Sequence, residues 1–363
     1  MKETYTIELT KEIGRAAVYG GVFLGGGGGG SLENGLKAVD EALELGKVKI
    51  ISIDKLPDNG KIITASAVGS PASKEGYVSL EHCKRVYELY EKVSGEIIQG
   101  IITNENGGHS TTNGWILSAI TGKPIIDAPC NGRAHPTGAM GSMGLSTKLG
   151  YKTWQIAAGG KKETEKNLEI AAYGGLKFTS KLVRESAAQA GGLVTVLRNC
   201  VNAGFVKKNA AIGGLMQAID IGNVFVKNEG KVDKILNKLS EVLEIEVIAK
   251  GYVDSCHLKI KGGFDVGNVN IRANEKLVSL TFWNEYMTIE SSGQRLATFP
   301  DLIATMDADT GKVKTSAQIK EGDNIILIKV PRSNLILGKG MYDIDLFRDV
   351  EKIINKPMIK YIF

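Results

Sequence analysis

Between residues 127 and 138 the chain reads DAPCNGRAHPTG, which brings Asp127, Cys130, Arg133 and His135 into one loop bounded by proline and glycine. A second polar loop, NENGGHS, carries Glu105, Gly107, Gly108 and His109. Glu105 and Asp127 can act as general bases, ligand orienters or hydrogen-bond acceptors. A thiol beside Arg133 would ionise easily, making Cys130 a nucleophile with His109 or His135 moving protons. The same side chains suit a thiophilic metal such as zinc, with His109, Cys130, His135 and, from far along the chain, His257 as ligands, although the spacing matches no standard motif. Arg133 is suited to a substrate carboxylate.

GGGGGG at residues 25–30 lets backbone pass close to a ligand, and Gly27 and Gly28 are assigned to substrate binding with Gly107 and Gly108. The run formally contains GxGxxG, but a helix precedes it where a dinucleotide site needs a strand, and no acidic residue closes a second strand at the expected place. No nucleotide cofactor is expected.

Elements that position these loops can be read from periodicity. LTKEIGRAAVYGGVFL predicts a helix capped by Thr10, and SLENGLKAVDEALELG a helix from Ser31 to Gly46. VKIISI and KIITASAVGSP read as strands, and SLEHCKRVYELYEKV as a helix opened by Ser79 and carrying His82 and Cys83. IIQGIIT, ENGGHS, TTNGWILSAITG and KPIIDA form strand, loop, helix and strand, a βαβ unit that predicts a largely parallel sheet. Both polar loops then lie past the carboxyl ends of neighbouring strands, where open α/β sheets form ligand crevices. They are expected to line one pocket, with Glu105, His109, Asp127 and Cys130 facing it.

SKLVRESAAQAGGLVTVLRN, with Cys200 directly after it, and AAIGGLMQAIDIGNVFV read as helices. From about residue 245 short alternating segments predict a β-rich domain, from which His257, and with it Cys256, is expected to approach the pocket. The fold class is an α/β domain followed by an α+β, β-rich domain, divided as 1–165 and 166–363.

A length of 363 residues supports two cores. The net charge of +5 is spread over 45 basic and 40 acidic residues, so neither nucleic acid nor membrane is an expected partner. The expected partner is a small molecule, and homo-oligomerisation is compatible with the composition. An amino terminus without an apolar signal core and four cysteines without a CxxC pair are the pattern of a cytoplasmic protein with free thiols.

The succession of GGGGGG, ENGGHS, DAPCNGRAHP, AAIGGLMQAIDIG, GGFDVGNVNI, FWNEYM, FPDLIATMDADTG and IKEGDNIILI resembles the S-methyl thiohydantoin desulfurase family over nearly the whole chain and both of its domains. Asp127, Gly132, Arg133, Ala134 and Pro136 match its second loop, whereas Pro129 stands in place of a second acid and His135 in place of an aromatic. Glu105, Gly107 and Gly108 match the first loop. The resemblance implies a cyclic ureide or its sulfur analogue as substrate, with water replacing sulfur at the carbon between two nitrogens and sulfide or a thiol released. Another cyclic-amide or hydantoin hydrolase, or a subunit of one, is the first alternative; turnover of hydantoin without sulfur would favour it. A non-catalytic ligand-binding module is the second, and no DNA-reading helix pair supports it.

Overall fold

The computed structural model describes residues 4–69 and 75–363. Its first sheet uses strands β1 (Thr6–Glu8), β2 (Lys49–Ile51), β3 (Lys61–Gly69), β4 (Gly100–Thr103), β5 (Ile125–Ile126), β6 (Lys152–Gly159), β7 (Leu168–Gly175) and β8 (Leu193–Asn202). Their spatial order is β1-β2-β5-β4-β3-β8-β6-β7. The four strands β2, β5, β4 and β3 are parallel and form its centre, with Ile101 opposite both Ile63 and Ile125. Antiparallel strands extend it on both sides. Ser70 and Pro71, the end of the expected KIITASAVGSP strand, lie outside the described residues.

Helices α1 (Lys11–Gly25), α2 (Leu32–Leu45), α3 (Leu80–Ser94), α4 (Trp115–Thr121) and α5 (Leu176–Gln189) belong to this half. Their starts follow the expected caps: Thr10, Ser31 and Ser79 each accept a hydrogen bond from a backbone N–H three residues on. The β4–α4–β5 unit is the predicted βαβ crossover, and Trp115 at the head of α4 is fully buried against Ile101 and Ile125. Helices α6 (Ala203–Asn209), α7 (Gly214–Lys227) and α8 (Val232–Leu243) follow. α7 crosses α1 at Gly222 and Gly20, where a Cβ would fall 1.7 Å from the Ala16 carbonyl oxygen and 1.8 Å from that of Ala218, respectively. Only glycine allows this crossing, which fixes the amino end of α7 beneath the loops.

The second sheet is wholly antiparallel: β9 (Glu246–Lys261), β10 (Phe264–Ala273), β11 (Lys276–Trp283), β12 (Glu285–Ser291), β13 (Gln294–Thr298), β14 (Leu302–Asp307), β15 (Val313–Lys314) and β16 (Asn324–Val330). They are ordered β13-β12-β11-β10-β9-β16-β14-β15, and α9 (Ile344–Ile354) and α10 (Ile359–Ile362) end the chain. The two domains are therefore an α/β unit with a mixed sheet and an antiparallel β-rich unit with a few helices. No described helix is long and apolar enough to cross a membrane.

One detail differs from expectation. GLVTVLRN is a strand, β8, and Cys200 lies on it; Gly191 and Gly192, both at positive φ, stop α5, and the β-branched run after them pairs with β3 and β6. Strands β7 and β8 lie past residue 165, yet both hydrogen-bond into the first sheet, so the change from one sheet to the other falls between Asn202 and Glu246.

Candidate active site

Strand β4 ends at Thr103, whose Oγ1 donates to the carbonyl of Ser110 at 2.6 Å and closes residues 104–110 into a compact loop. Asn106 ties this loop to its neighbour, its Nδ2 lying 2.7 Å from the Gly214 carbonyl oxygen and 3.3 Å from that of Gly132. The glycine run lies over both. Gly29 O accepts from His109 N and Ser110 N, each at 2.9 Å, and Gly26 O accepts from Tyr286 N at 2.8 Å, which brings the start of β12 onto the first domain.

A cavity of about 260 Å³ opens at this junction, with Gly29, Gly30, Glu105, His109, His135, Arg184, Arg198 and Glu285 in its wall. A larger groove of about 530 Å³ between α2 and α3 meets it at Asn34 and His109. We place the chemistry in the smaller space, because that is where carboxylates, imidazoles and guanidiniums converge.

Glu105 and His135 form its basic pair. Glu105 Oε2 accepts the His135 backbone N–H at 3.1 Å and lies 2.9 Å from His135 Nδ1. The second contact has ion-pair proximity without hydrogen-bond direction, since Nδ1 has no aligned acceptor among the described residues. His135 Nε2 packs against Gly141, where a Cβ would stand 2.3 Å away. His109 sits at the rim, and burial of its ring lowers its pKa, keeping it neutral.

Glu285 enters from the second domain. Asn284, at φ 58°, turns the chain between β11 and β12, and the glutamate beside it is 1% exposed. Its carboxyl packs on Gly28, where a Cβ would stand 2.0 Å from Oε1, and Oε2 has no hydrogen-bond partner among the described residues. Burial and the negative charge of Glu105 push its pKa well above the usual carboxylate range, outweighing the opposing pull of Arg133 and Arg184. Burial thus favours the protonated form of Glu285.

Several residues singled out from the sequence lie elsewhere. Cys130 is fully buried in an apolar cluster, its Sγ 3.3 Å from Thr64 Oγ1, and burial raises its pKa to about 11. The positive charge acting on it is that of Arg198, not Arg133. A protonated core thiol is neither an activated nucleophile nor a ready ligand. Replacing Cys130 with alanine is expected to leave kcat within about threefold and to cost about 1–2 kcal/mol of stability; steady-state kinetics and denaturant melts check this.

Asp127 also points away from the cavity. Its Oδ1 accepts from Leu215 N at 2.7 Å and Met216 N at 3.3 Å, its Oδ2 accepts from Tyr5 Oη, and burial raises its pKa against these bonds. It caps α7. Arg133 is fully buried as an interdomain clamp: Nη1 donates to the Pro300 carbonyl at 3.1 Å and to that of Asp301 at 2.6 Å, and the guanidinium lies 4.5 Å from the centroid of the Phe299 ring. Burial lowers its pKa to about 10; Nη2 has no partner among the described residues, and Arg133 does not line the cavity.

Gly107 and Gly108 pack against Gly29 and Gly30, and Gly27 packs against Tyr286 while Gly28 backs Glu285, so these four support the wall rather than line it. His257 is exposed on β9, opposite Asn268, and Cys256 packs into the core of the second sheet. Of the four expected zinc ligands, His109 and His135 share the cavity wall, whereas Cys130 and His257 lie elsewhere. Among the described residues no group of three or more His, Cys, Asp or Glu side chains could hold a metal ion, and the donors present do not fit zinc.

Sequence reasoning missed Glu285, Arg184 and Arg198. Arg198 did carry a signal, as a lone charge directly after the apolar run LVTVL. Glu285 stood in FWNEYM without a partner in sequence to mark it.

The whole chain superposes on an X-ray crystal structure of a protein from Chromobacterium violaceum with a TM-score of 0.70 and 15% identity, over 95% of this chain and 97% of that one. At that identity the likeness shows the fold alone. No curated protein matches the chain. Residues 15–165 match the N-terminal domain of S-Me-THD-like proteins and residues 176–342 match their C-terminal domain. With both domains matched in order and their junction forming the cavity, the chain belongs to the S-Me-THD-like family.

Proposed function

We propose that the interdomain cavity carries out hydrolytic desulfurization of a thiohydantoin-type ring, in which water replaces sulfur at the carbon between two ring nitrogens. The observation that supports this reading is a neutral acid, Glu285, in one wall with a carboxylate–imidazole pair, Glu105–His135, in the other. Carboxyl groups held in different protonation states divide acid and base roles.

Glu105 takes a proton from water as its oxygen bonds to the thioamide carbon, and His135 orients the carboxylate and steadies its charge. Glu285 donates its proton to the sulfur as negative charge gathers there. The carbon–sulfur bond then breaks, hydrosulfide leaves, and the new carbonyl forms as its hydroxyl proton returns to Glu285. Glu105 releases its proton to solvent or to the departing sulfide, so thioamide and water give hydantoin and sulfide. With an S-methyl substrate the charge gathers on the ring nitrogen, which takes the Glu285 proton; methanethiolate then leaves as the hydroxyl proton returns to Glu285, and the thiolate takes the Glu105 proton, giving hydantoin and methanethiol.

The test is an assay of purified protein with 2-thiohydantoin, S-methyl thiohydantoin and hydantoin, following sulfide, thiol and ring opening separately. Sulfide or thiol release with an intact hydantoin product is expected. Ring opening of hydantoin alone would replace this reading with a cyclic-amide hydrolase.

A further inference from the structure

We infer that the substrate carries a carboxylate arm and that Arg198, with Arg184 beside it, binds that arm. Arg198 lies on β8 in the middle of the first sheet, opposite Thr64 on β3 and Gln155 on β6. It is 3% exposed and lines the cavity. Its guanidinium donates no hydrogen bond to any described residue, and its buried Nε has no partner. The head lies against Gly138, where a Cβ would stand 2.4 Å from Nη1, so only glycine there leaves room for it.

A buried guanidinium with no hydrogen-bonded or ion-paired partner, acted on by the Glu105 charge only from across the wall, is costly and calls for an anion when the site fills. Arg184 supplies a second charge in the same wall. Its Nη1 is held by the carbonyl oxygens of Gly69 at 2.9 Å and Gly263 at 3.1 Å, and the group stacks 4.1 Å from the centroid of Phe264. Burial lowers its pKa to about 10, which leaves it charged at neutral pH.

The anion is a carboxylate rather than a phosphate for two reasons. The planar fork matches a carboxylate in two parallel bonds. Glu105 shares the wall, and a dianion would meet its charge there. The inference rests on the proposed ring chemistry only for the identity of the ring.

Titration calorimetry with 5-carboxymethylhydantoin and its neutral carboxamide, neither of which contains sulfur, tests it. Wild-type protein is expected to bind the acid roughly tenfold or more tightly than the amide, and Arg198→Met to lose that preference while amide binding stays within about threefold. Arg198→Lys, which keeps charge without the fork, is expected to fall between them and serves if the methionine variant does not fold. Equal affinities in wild type, no measurable acid binding, or a preference kept in a folded Arg198 variant would overturn the inference. Competition by inorganic phosphate as strong as by the acid would overturn the choice of carboxylate.

The corresponding 2-thiohydantoins separate the two readings. Selective acid binding without sulfide release leaves the anion site and removes the desulfurase. Equal sulfide release from acid and amide, with equal KM, does the reverse.

Discussion

Replacing Glu285 with glutamine is expected to lower kcat roughly 10²- to 10⁴-fold, the range for loss of a positioned proton donor. The amide keeps the shape against Gly28 and cannot give a proton. Wild-type activity is expected to fall as pH rises through the elevated pKa of Glu285, giving an alkaline limb well above the usual carboxylate range. Stability carries the same signature. The folded state keeps a proton that the unfolded chain releases above about pH 4.3, so stability declines by about 1.4 kcal/mol per pH unit from there up to the folded-state pKa. Glu285→Gln removes that decline, and melts at about pH 5 and about pH 7 should differ less for the variant than for wild type. A variant with wild-type kcat, or an unchanged pH slope, would show that Glu285 is not the buried acid.

Glu105→Gln is expected to cost kcat by a similar factor, roughly 10²- to 10⁴-fold, because the base that activates water is lost while His135 remains. It has a second consequence. The charge of Glu105 helps to raise the Glu285 pKa, so the alkaline limb of the residual activity should move to lower pH. A pH–rate profile of Glu105→Gln with the limb unmoved would mean that the two carboxyls do not share one field, and the acid–base pairing would fail.

The parts of this arrangement legible in the sequence are those carried by local signals. Caps at Thr10, Ser31 and Ser79 and the period change through IIQGIIT to KPIIDA located the βαβ unit and put the polar loops at one sheet edge. What could not be read was direction. Asp127 and Glu105 both follow central strands, yet the amino end of α7 captures Asp127 while Glu105 turns to the cavity, and the position of α7 depends on a crossing with α1 distant in sequence. Cys130 turned inward because Thr64 and an apolar cluster receive it. β8 was mistaken for helix because alanine-rich α5 runs straight into it, and only its pairing with β3 and β6 reveals the strand that carries Arg198. Glu285 needed the second sheet to dock before its burial meant anything.

The Arg133 clamp has a bearing on how the cavity is divided between the two domains. By gripping the carbonyls of Pro300 and Asp301, it fastens the loop that carries His135 to the domain that supplies Glu285. The first half contributes Glu105, His135, Arg184 and Arg198 to the cavity and the second contributes Glu285, so in the proposed mechanism neither half holds both base and acid. Docking of the second sheet, which seats the Glu285 carboxyl against Gly28, is what would bring the two together.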